Sequence, residues 1–194
     1  MTDLADRIDA HLRQSAAIKI EAARTCRDTA LATAEVIAKS LASGGKVMFC
    51  GNGGSAGDSQ HIAAEFVATL DHRRPRQGLA ALALTTDTSF ITAYSNDFGY
   101  EGIFARQVET LGKTGDVLVG LSTSGNSANV VKALEAAKEG GINTVAMTGA
   151  GGGRMAEIAD ILITVPSDQT PFIQETHIAL GHAITAAVET LLGH

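Results

Sequence analysis

The chain is predicted to fold as a three-layer α/β sandwich around a five-stranded parallel sheet. The sequence contains five short apolar runs, which are separated by helical patterns. Two of these runs are directly followed by glycine-rich stretches. Nearly continuous apolar runs of strand length indicate strands that are buried on both faces, as in a parallel sheet covered by helices. The alternation of strands and helices favours a doubly wound arrangement of the layers.

The elements follow from local patterns of apolar and turn residues. Apolar residues recur at helical spacing over 3–43, which predicts two helices, and Gly44-Gly45 ends the run. The predicted strands span Lys46–Cys50, Leu79–Leu84, Asp116–Gly120, Asn143–Met147 and Ile161–Val165. Helical patterns lie between them at about 55–70, 88–110, 127–139 and 154–159, and a final helix is predicted over 171–192.

Length and composition exclude several functional classes. The 194 residues are most simply one domain, 1–194, and we expect the helical segment 1–43 to pack on it and in an oligomer. The chain has 15 Lys and Arg against 21 Asp and Glu and no basic run, so we expect no nucleic-acid partner. Cys26 and Cys50 form neither a metal-binding spacing nor a disulfide framework. With no signal-peptide pattern and no membrane-spanning window, we expect a cytoplasmic protein without a membrane partner.

The first glycine-rich loop, 50–56, runs from a predicted strand into a predicted helix. Its glycines allow a tight turn and close approach to a ligand, and the free N–H groups at a helix start suit anions. The loop also matches the loose dinucleotide-binding pattern through Gly51, Gly53 and Ala56. That alternative is disfavoured because two helices precede the strand and no acidic residue ends the next strand, where a ribose would need it.

The second loop, Ser122–Ser127, also joins a strand to a helix. Ser122, Thr123, Ser124 and Ser127 can donate hydroxyls while backbone N–H groups converge. Neutral donors at a helix start bind a small phosphate monoester without burying a further charge. A helix N-cap with spare serines is the alternative, since Ser and Asn favour caps. One cap explains one hydroxyl rather than four, so we prefer the phosphate-binding interpretation.

Two groups of side chains that can ligate a metal lie far apart in the sequence. His61 and Glu65, four residues apart, share one face of the helix after the first loop. Gln174 and His182 share one face of the final helix. Two imidazoles, a carboxylate and an amide oxygen can bind zinc or a similar divalent ion. The alternatives are a surface His–Glu ion pair and, for His177 and His182, core or interface histidines.

Taken together, these motifs resemble the phosphoheptose isomerase family of the sugar isomerase (SIS) superfamily. The residues that carry the resemblance are Gly-Asn-Gly-Gly-Ser at 51–55, His61 and Glu65, Asn96-Asp97, Ser-Thr-Ser-Gly-Asn-Ser at 122–127, and Ile173-Gln174-Glu175 with His177. The likeness runs from about residue 40 to the end and also fits the helical N-terminus. One stretch, Asp71–Gly78, is longer and more basic than the family's usual Asp-Arg-Pro-Gly.

The resemblance implies a quaternary structure and a set of site residues. It implies a homotetramer whose active sites lie between subunits, which would unite the two distant groups. It implies one zinc ion per subunit, with His61, Glu65, Gln174 and His182 as ligands. The implied substrate contacts are Asn52, Gly53, Gly54, Glu65, Asn96, Asp97, Ser122, Thr123, Ser124, Ser127 and Gln174.

The implied reaction converts sedoheptulose 7-phosphate to D-glycero-D-manno-heptose 7-phosphate, the first step toward nucleotide-activated heptose for lipopolysaccharide and related glycans. Moving a proton between C1 and C2 through an enediol needs a base at carbon and an acid–base at oxygen. Glu65 is the candidate base at carbon, and His182 is the candidate acid–base at oxygen. Zinc would polarise the carbonyl or fix the geometry of both groups.

Other members of the superfamily offer alternative functions. A non-catalytic tetrameric scaffold that assists the bacterial replication initiator is similar in sequence, but there the equivalents of Glu65 and His182 are replaced. Aminosugar isomerases and N-acetylmuramic acid 6-phosphate etherase lack the Gln/His pair on the last helix and usually have longer chains. Because Glu65 and His182 are both intact here, the sequence predicts the isomerase.

Overall fold

A five-stranded parallel sheet forms the centre of the molecule, which a computed structural model describes over residues 3–194. The strands are β1 (Val47–Gly51), β2 (Ala81–Ala83), β3 (Val117–Leu121), β4 (Asn143–Thr148) and β5 (Ile161–Thr164). Their order in the sheet is β2-β1-β3-β4-β5, and every neighbouring pair is parallel. The predicted α/β architecture is confirmed, and among the strands the main difference is that β2 is shorter than its predicted segment.

Helices cover both faces of this sheet. Over the described residues they are α1 (Leu4–Thr25), α2 (Arg27–Ala42), α3 (Gly54–Val67), α4 (Thr88–Phe98), α5 (Ile103–Leu111), α6 (Ala128–Glu139) and α7 (Thr170–Leu191). Phe49 and Val119 belong to the core beneath α1, α2, α3 and α7, whereas Met48 and Leu118 belong to the core beneath α4, α5 and α6. Successive strand residues point to opposite faces. Both faces are therefore buried, which explains why the strand sequences are largely apolar.

The prediction of one continuous helix over 88–110 is wrong. Two helices, α4 and α5, occupy this region, and a short 3-10 helix, Tyr100–Gly102, joins them. Gly99 ends α4 with a φ of +89°, a conformation that residues with a side chain rarely adopt. Gly102 then passes so close to Tyr94 that a Cβ there would lie 2.7 Å from the ring. Apolar periodicity continues through both glycines, so the pattern did not reveal the break.

The predicted N-terminal helical region is confirmed, with two helices that meet at Cys26. The buried Sγ of Cys26 donates to the Thr164 carbonyl oxygen at 3.3 Å, at the end of β5. On α7, Glu175 binds the side chains of His11 and Ser15 of α1. Cys26 and Cys50 are both free and buried, and burial raises the pKa of the Cys50 thiol to about 12. Within the described part of the chain, every helix is too short or too polar to cross a lipid bilayer.

His177 is a core residue of α7. Its side chain is fully buried, and Nε2 lies 3.2 Å from the carbonyl oxygen of Thr148 at the end of β4. Its Nδ1 has no hydrogen-bond partner among the described residues. Nε2 must carry the hydrogen, because a carbonyl oxygen can only accept. Burial lowers the pKa of His177 to about 4, so the imidazole is neutral in the folded protein.

This buried neutral imidazole predicts a loss of stability in acid. The imidazole titrates near pH 6.5 in an unfolded chain but near pH 4 in the folded one, so the unfolded state binds the proton first as the pH falls. The free energy of unfolding should therefore fall between about pH 6.5 and about pH 4, by up to ~3 kcal/mol. We expect His177→Gln, which can still donate to Thr148, to flatten this decline in urea unfolding. His72→Gln at an exposed position is the control, and equal declines in all three proteins would contradict the assignment.

Candidate active site

The two glycine-rich loops meet at one point on the edge of the sheet. β1 leads into the first loop and its neighbour β3 into the second, and Gly51 pairs with Leu121 in the register. β2 lies on the far side of β1, whereas β4 and β5 lie beyond β3. The two connections therefore leave in opposite directions, and the crevice between them is where parallel sheets bind ligands. The predicted position of both loops is confirmed.

Three serine hydroxyls converge in the second loop. The Oγ of Ser122 lies 2.9 Å from the Oγ of Ser127 and 3.4 Å from that of Ser124. Ser127 is the N-cap residue of α6 but makes no side-chain capping bond, so the N-cap alternative does not account for its hydroxyl. Behind the loop, a Cβ on Gly125 would lie 2.0 Å from the carbonyl oxygen of Gly152. The hydroxyls are thus held together at a helix start, where a phosphate group binds favourably.

The first loop is tied to the second by a pair of amides that sequence reasoning missed. The side chains of Asn52 and Asn129 exchange hydrogen bonds of 2.8 and 2.9 Å. The Tyr100 hydroxyl also donates to Asn52 Oδ1, at 2.9 Å. Asn129 is buried on α6, two residues beyond Ser127, so this pair connects the loops directly. Since an amide nitrogen has two hydrogens, Asn52 retains one for a ligand.

Further predicted substrate residues lie near these loops. Asn96 and Asp97 are exposed in the last turn of α4, where Asn96 Nδ2 donates to Asp97 Oδ1 at 2.8 Å. The chain then reaches Tyr100, which contacts Asn52, so this segment ends beside the first loop. Thr123 is half-buried in the second loop. Their roles as substrate contacts stay predictions.

The two distant groups of predicted ligands lie on α3 and α7, which pack side by side in the same direction. At their starts, a Cβ on Gly54 would lie 2.1 Å from Gln174 Nε2. Two turns further along, a Cβ on Gly181 would lie 2.5 Å from Ile62 Cδ1. The sequence offset between partners is nearly constant, as parallel packing requires. Glycine on one helix at each level allows the close approach.

Three of the four predicted metal ligands come together between these helices. His61 Nε2 lies 2.8 Å from His182 Nε2 and 3.3 Å from Glu65 Oε1. Ligating atoms of the three residues all lie within 4.8 Å of one another. Two facing imidazole nitrogens require a proton or a cation between them, because two lone pairs repel. Zinc binds such donors, and its tetrahedral ligands lie about 3.4 Å apart, so the residues fit a zinc ion.

The structure corrects the expectation that a subunit interface is needed to bring His182 to His61 and Glu65. The packing of α3 against α7 brings His61 and Glu65 to His182 within one chain. Gln174 lies eight residues before His182, roughly 12 Å along the axis of α7. Its amide contacts Gly54 at the start of α3. The role of Gln174 as a fourth ligand stays a prediction.

Comparison with known proteins identifies the family. Residues 11–149 match the family model of the SIS domain. A phosphoheptose isomerase from Rhodospirillum rubrum is 55% identical over 167 residues, which cover 86% of this chain and 88% of the relative. One from Nitratidesulfovibrio vulgaris is 49% identical over 193 residues, which cover 99% and 92%. The structure of phosphoheptose isomerase from Neisseria gonorrhoeae matches with a TM-score of 0.91 and 44% identity, covering 97% of this chain and 100% of that one.

The chain belongs to the phosphoheptose isomerase family. It is accordingly an isomerase with a SIS domain, as the resemblance implied. Relatives that cover nearly the whole chain carry this name, so the non-catalytic scaffold is not favoured.

Beside the cluster of this isomerase lies a buried carboxylate that sequence reasoning also missed. The side chain of Asp58 is 8% exposed, and its Oδ2 has no hydrogen-bond partner among the described residues. Burial raises the pKa of Asp58 to about 6, against the opposing effect of His61. Asp58 precedes His61 by three residues, which places both on one helix face. The spacing of three residues between Asp58 and His61 is the sequence feature that could have identified Asp58 as a neighbour of the cluster.

The contact between α3 and α7 depends on the absence of a side chain at position 181. A methyl group there would lie 2.5 Å from Cδ1 and 2.8 Å from Cγ1 of Ile62. Overpacking of this kind costs ~1–3 kcal/mol, more than the up to ~1 kcal/mol that alanine gains over glycine in a helix. We expect Gly181→Ala to lower the free energy of unfolding by about 1 kcal/mol in chemical denaturation.

Two further variants control this prediction. Gly57→Ala, in α3 where a Cβ meets nothing within 4 Å, should stabilise the protein instead. Adding Ile62→Val to Gly181→Ala removes the overlapping Cδ1 and should restore part of the lost stability. A Gly57→Ala variant as destabilised as Gly181→Ala would show that the close helix contact is not the cause.

Proposed function

We propose that the protein converts sedoheptulose 7-phosphate to D-glycero-D-manno-heptose 7-phosphate. The observation that carries this proposal is the cluster of His61, Glu65 and His182, in a chain whose relatives are named phosphoheptose isomerase. A ketose–aldose isomerisation needs a base and an acid–base within reach of two adjacent carbons, and this cluster supplies both. The product would enter the synthesis of nucleotide-activated heptose for lipopolysaccharide core, capsule or other glycans.

The phosphate group would bind at the crevice between the two loops. The serine hydroxyls and the start of α6 offer neutral donors, and α3 offers free N–H groups at its own start. The sugar would extend from there toward the polar groups around the loops and the cluster. The proposed substrate contacts are Asn52, Gly53, Gly54, Glu65, Asn96, Asp97, Ser122, Thr123, Ser124, Ser127 and Gln174.

The proton transfers are assigned to two side chains. Glu65 takes a proton from C1 of the ketose, and His182 donates one to the oxygen on C2, which gives the enediol. His182 then removes the proton from the oxygen on C1 while Glu65 returns its proton to C2, which gives the aldose. A zinc ion held by His61, Glu65, Gln174 and His182 would polarise the substrate carbonyl. Because one lone pair cannot bind a metal and accept a proton at once, we propose that ligation by Glu65 and His182 loosens during turnover.

We further propose a cytoplasmic homotetramer in which neighbouring subunits cover the sites. The side chain of His61 is 51% exposed, so the cluster lies at the surface of a single chain. On α1, Leu4, Ile8 and Leu12 are exposed at successive spacings of four, which forms an apolar stripe. The exposure of such a stripe supports the proposed tetramer, in which a neighbouring subunit would bury it. The two buried free thiols fit a reducing compartment.

Replacing either proton-transfer group should abolish turnover. We expect Glu65→Gln and His182→Asn to lower kcat by at least about 100-fold on sedoheptulose 7-phosphate, since positioned acids and bases contribute about this much. Circular dichroism should show that both variants remain folded. Glu35→Gln and His72→Asn, at exposed positions, are the matched controls and should keep full activity.

The substrate panel for this assay includes heptose, hexose and pentose phosphates with added zinc. Full activity of folded Glu65→Gln or His182→Asn would refute the assigned roles. If the wild-type protein is inactive on all three sugar classes, the result would favour the alternative function of a non-catalytic scaffold.

The proposed metal is tested by its removal. Elemental analysis of the purified protein should find about one zinc per subunit, in line with a site of this donor type. Thorough chelation should remove both metal and activity, and added zinc should restore them. His61→Gln should lower the zinc content, whereas His72→Asn should not. Activity that is indifferent to complete removal of zinc would exclude it from the reaction.

A further inference from the structure

We infer that Arg76 is a positioning residue of the isomerase, which fixes Glu65 relative to His182 by tying the last turn of α3 to α7. Together with its partner Glu189 it forms what we call the Arg76–Glu189 clamp. The inference rests on the proposed roles of Glu65 and His182 and adds a residue that touches neither substrate nor metal.

Arg76 differs from the other arginines of the basic Asp71–Gly78 stretch. The side chains of Arg73 and Arg74 are 79% and 78% exposed and pair with Asp71 at the surface. That of Arg76 is only 3% exposed. A guanidinium is buried at a large desolvation cost unless its charge is paired and its N–H groups are bonded. Its burial therefore indicates a specific set of partners.

These partners lie on both helices of the candidate site. Arg76 donates from Nη2 to the Glu65 carbonyl oxygen and from Nη1 to that of Phe66, both at 2.9 Å. Its Nε donates to Glu189 Oε1 on α7 at 2.6 Å. The same carboxylate oxygen accepts from the backbone N–H of Leu70 at 3.3 Å. One buried ion pair thus joins the end of α3 to α7.

The bonds to carbonyl oxygens explain why the arginine sits at this helix end. α3 ends at Val67, three residues earlier than predicted, and its final carbonyl groups lack partners within the helix. A cation is favourable there because the helix dipole places negative charge at the C-terminus. Arg76 supplies both the donors and the charge, and Glu189 neutralises that charge.

The position of the clamp along the helix pair determines its effect. α3 and α7 touch at Gly54 and Gln174, then at Ile62 and Gly181. The cluster lies at the level of this second contact and one turn beyond it, from His61 to Glu65 on α3. Glu189 lies seven residues beyond His182, about 10 Å further along α7. The cluster is therefore held from both sides. Without the clamp, the last turn of α3 would fray and Glu65 would move away from His182. A displacement of about 1 Å in a catalytic group can lower the rate about 100-fold.

The test separates positioning from general stability by the split between kcat and KM. We expect Arg76→Met to lower kcat for sedoheptulose 7-phosphate at least about tenfold, with KM changed less than about threefold, because the phosphate-binding loops lie at the opposite end of α3. Arg76→Lys should recover part of kcat, since it keeps the charge but not the planar fork. Glu189→Gln should lower kcat in the same way. Arg73→Met, in the same stretch, is the matched control and should match the wild type.

Several outcomes would overturn the inference. An unchanged kcat in folded Arg76→Met does so, as does a KM rise with kcat intact. If Arg76→Met fails to fold, Arg76→Lys and Glu189→Gln decide by the same criterion, since both nearly preserve the side-chain volume. If the wild type shows no isomerase activity, the proposed function is refuted but the clamp is not. In that case amide hydrogen exchange over 66–70 still tests the clamp. Exchange there should be faster in Arg76→Met but not in Arg73→Met, and equal exchange would refute the clamp.

Discussion

Parallel packing of α3 against α7 is the constraint on which the candidate site depends. The two helices are separated by more than half of the chain and enter the same layer from different strands. Gly181 allows contact with Ile62, and Gly54 allows contact with Gln174, so the axes approach closely at two levels. Neither helix carries the candidate metal ligands alone, because His61 and Glu65 are an ordinary pair of helical neighbours and His182 is single. The site is a property of their relative position.

The sheet contributes the other half of the arrangement. In the strand order, the connection after β1 runs toward β2 and the connection after β3 runs toward β4, in opposite directions along the sheet. The two loops that begin these connections therefore face one crevice. The polar side chains at this crevice carry neutral hydroxyl and amide groups. These groups would allow a mildly acidic chain to bind the proposed phosphate, because backbone N–H groups and helix starts provide a favourable field without a cluster of cations.

Local sequence patterns predicted most of the fold and each half of the site. Continuous apolar runs indicated buried strands, and both loops were recognisable by their glycine and serine residues. Features that depend on distant contacts escaped prediction. Periodicity could not show the break at Gly99, because apolar residues continue beyond it. Nor could spacing show that His61 meets His182 within one chain, since this follows from how α7 lies across the sheet. Arg76 resembled its exposed neighbours, and only tertiary packing distinguishes it.

The amide pair between Asn52 and Asn129 has a consequence for recognition. Two surface loops that were independent would each lose conformational entropy when a ligand ordered them, and that loss would weaken binding. Here the reciprocal bonds, with the Tyr100 hydroxyl as a third partner, order both loops as the chain folds. Association with the proposed phosphosugar would then resemble docking into a preformed site, with selectivity set by shape and donor geometry.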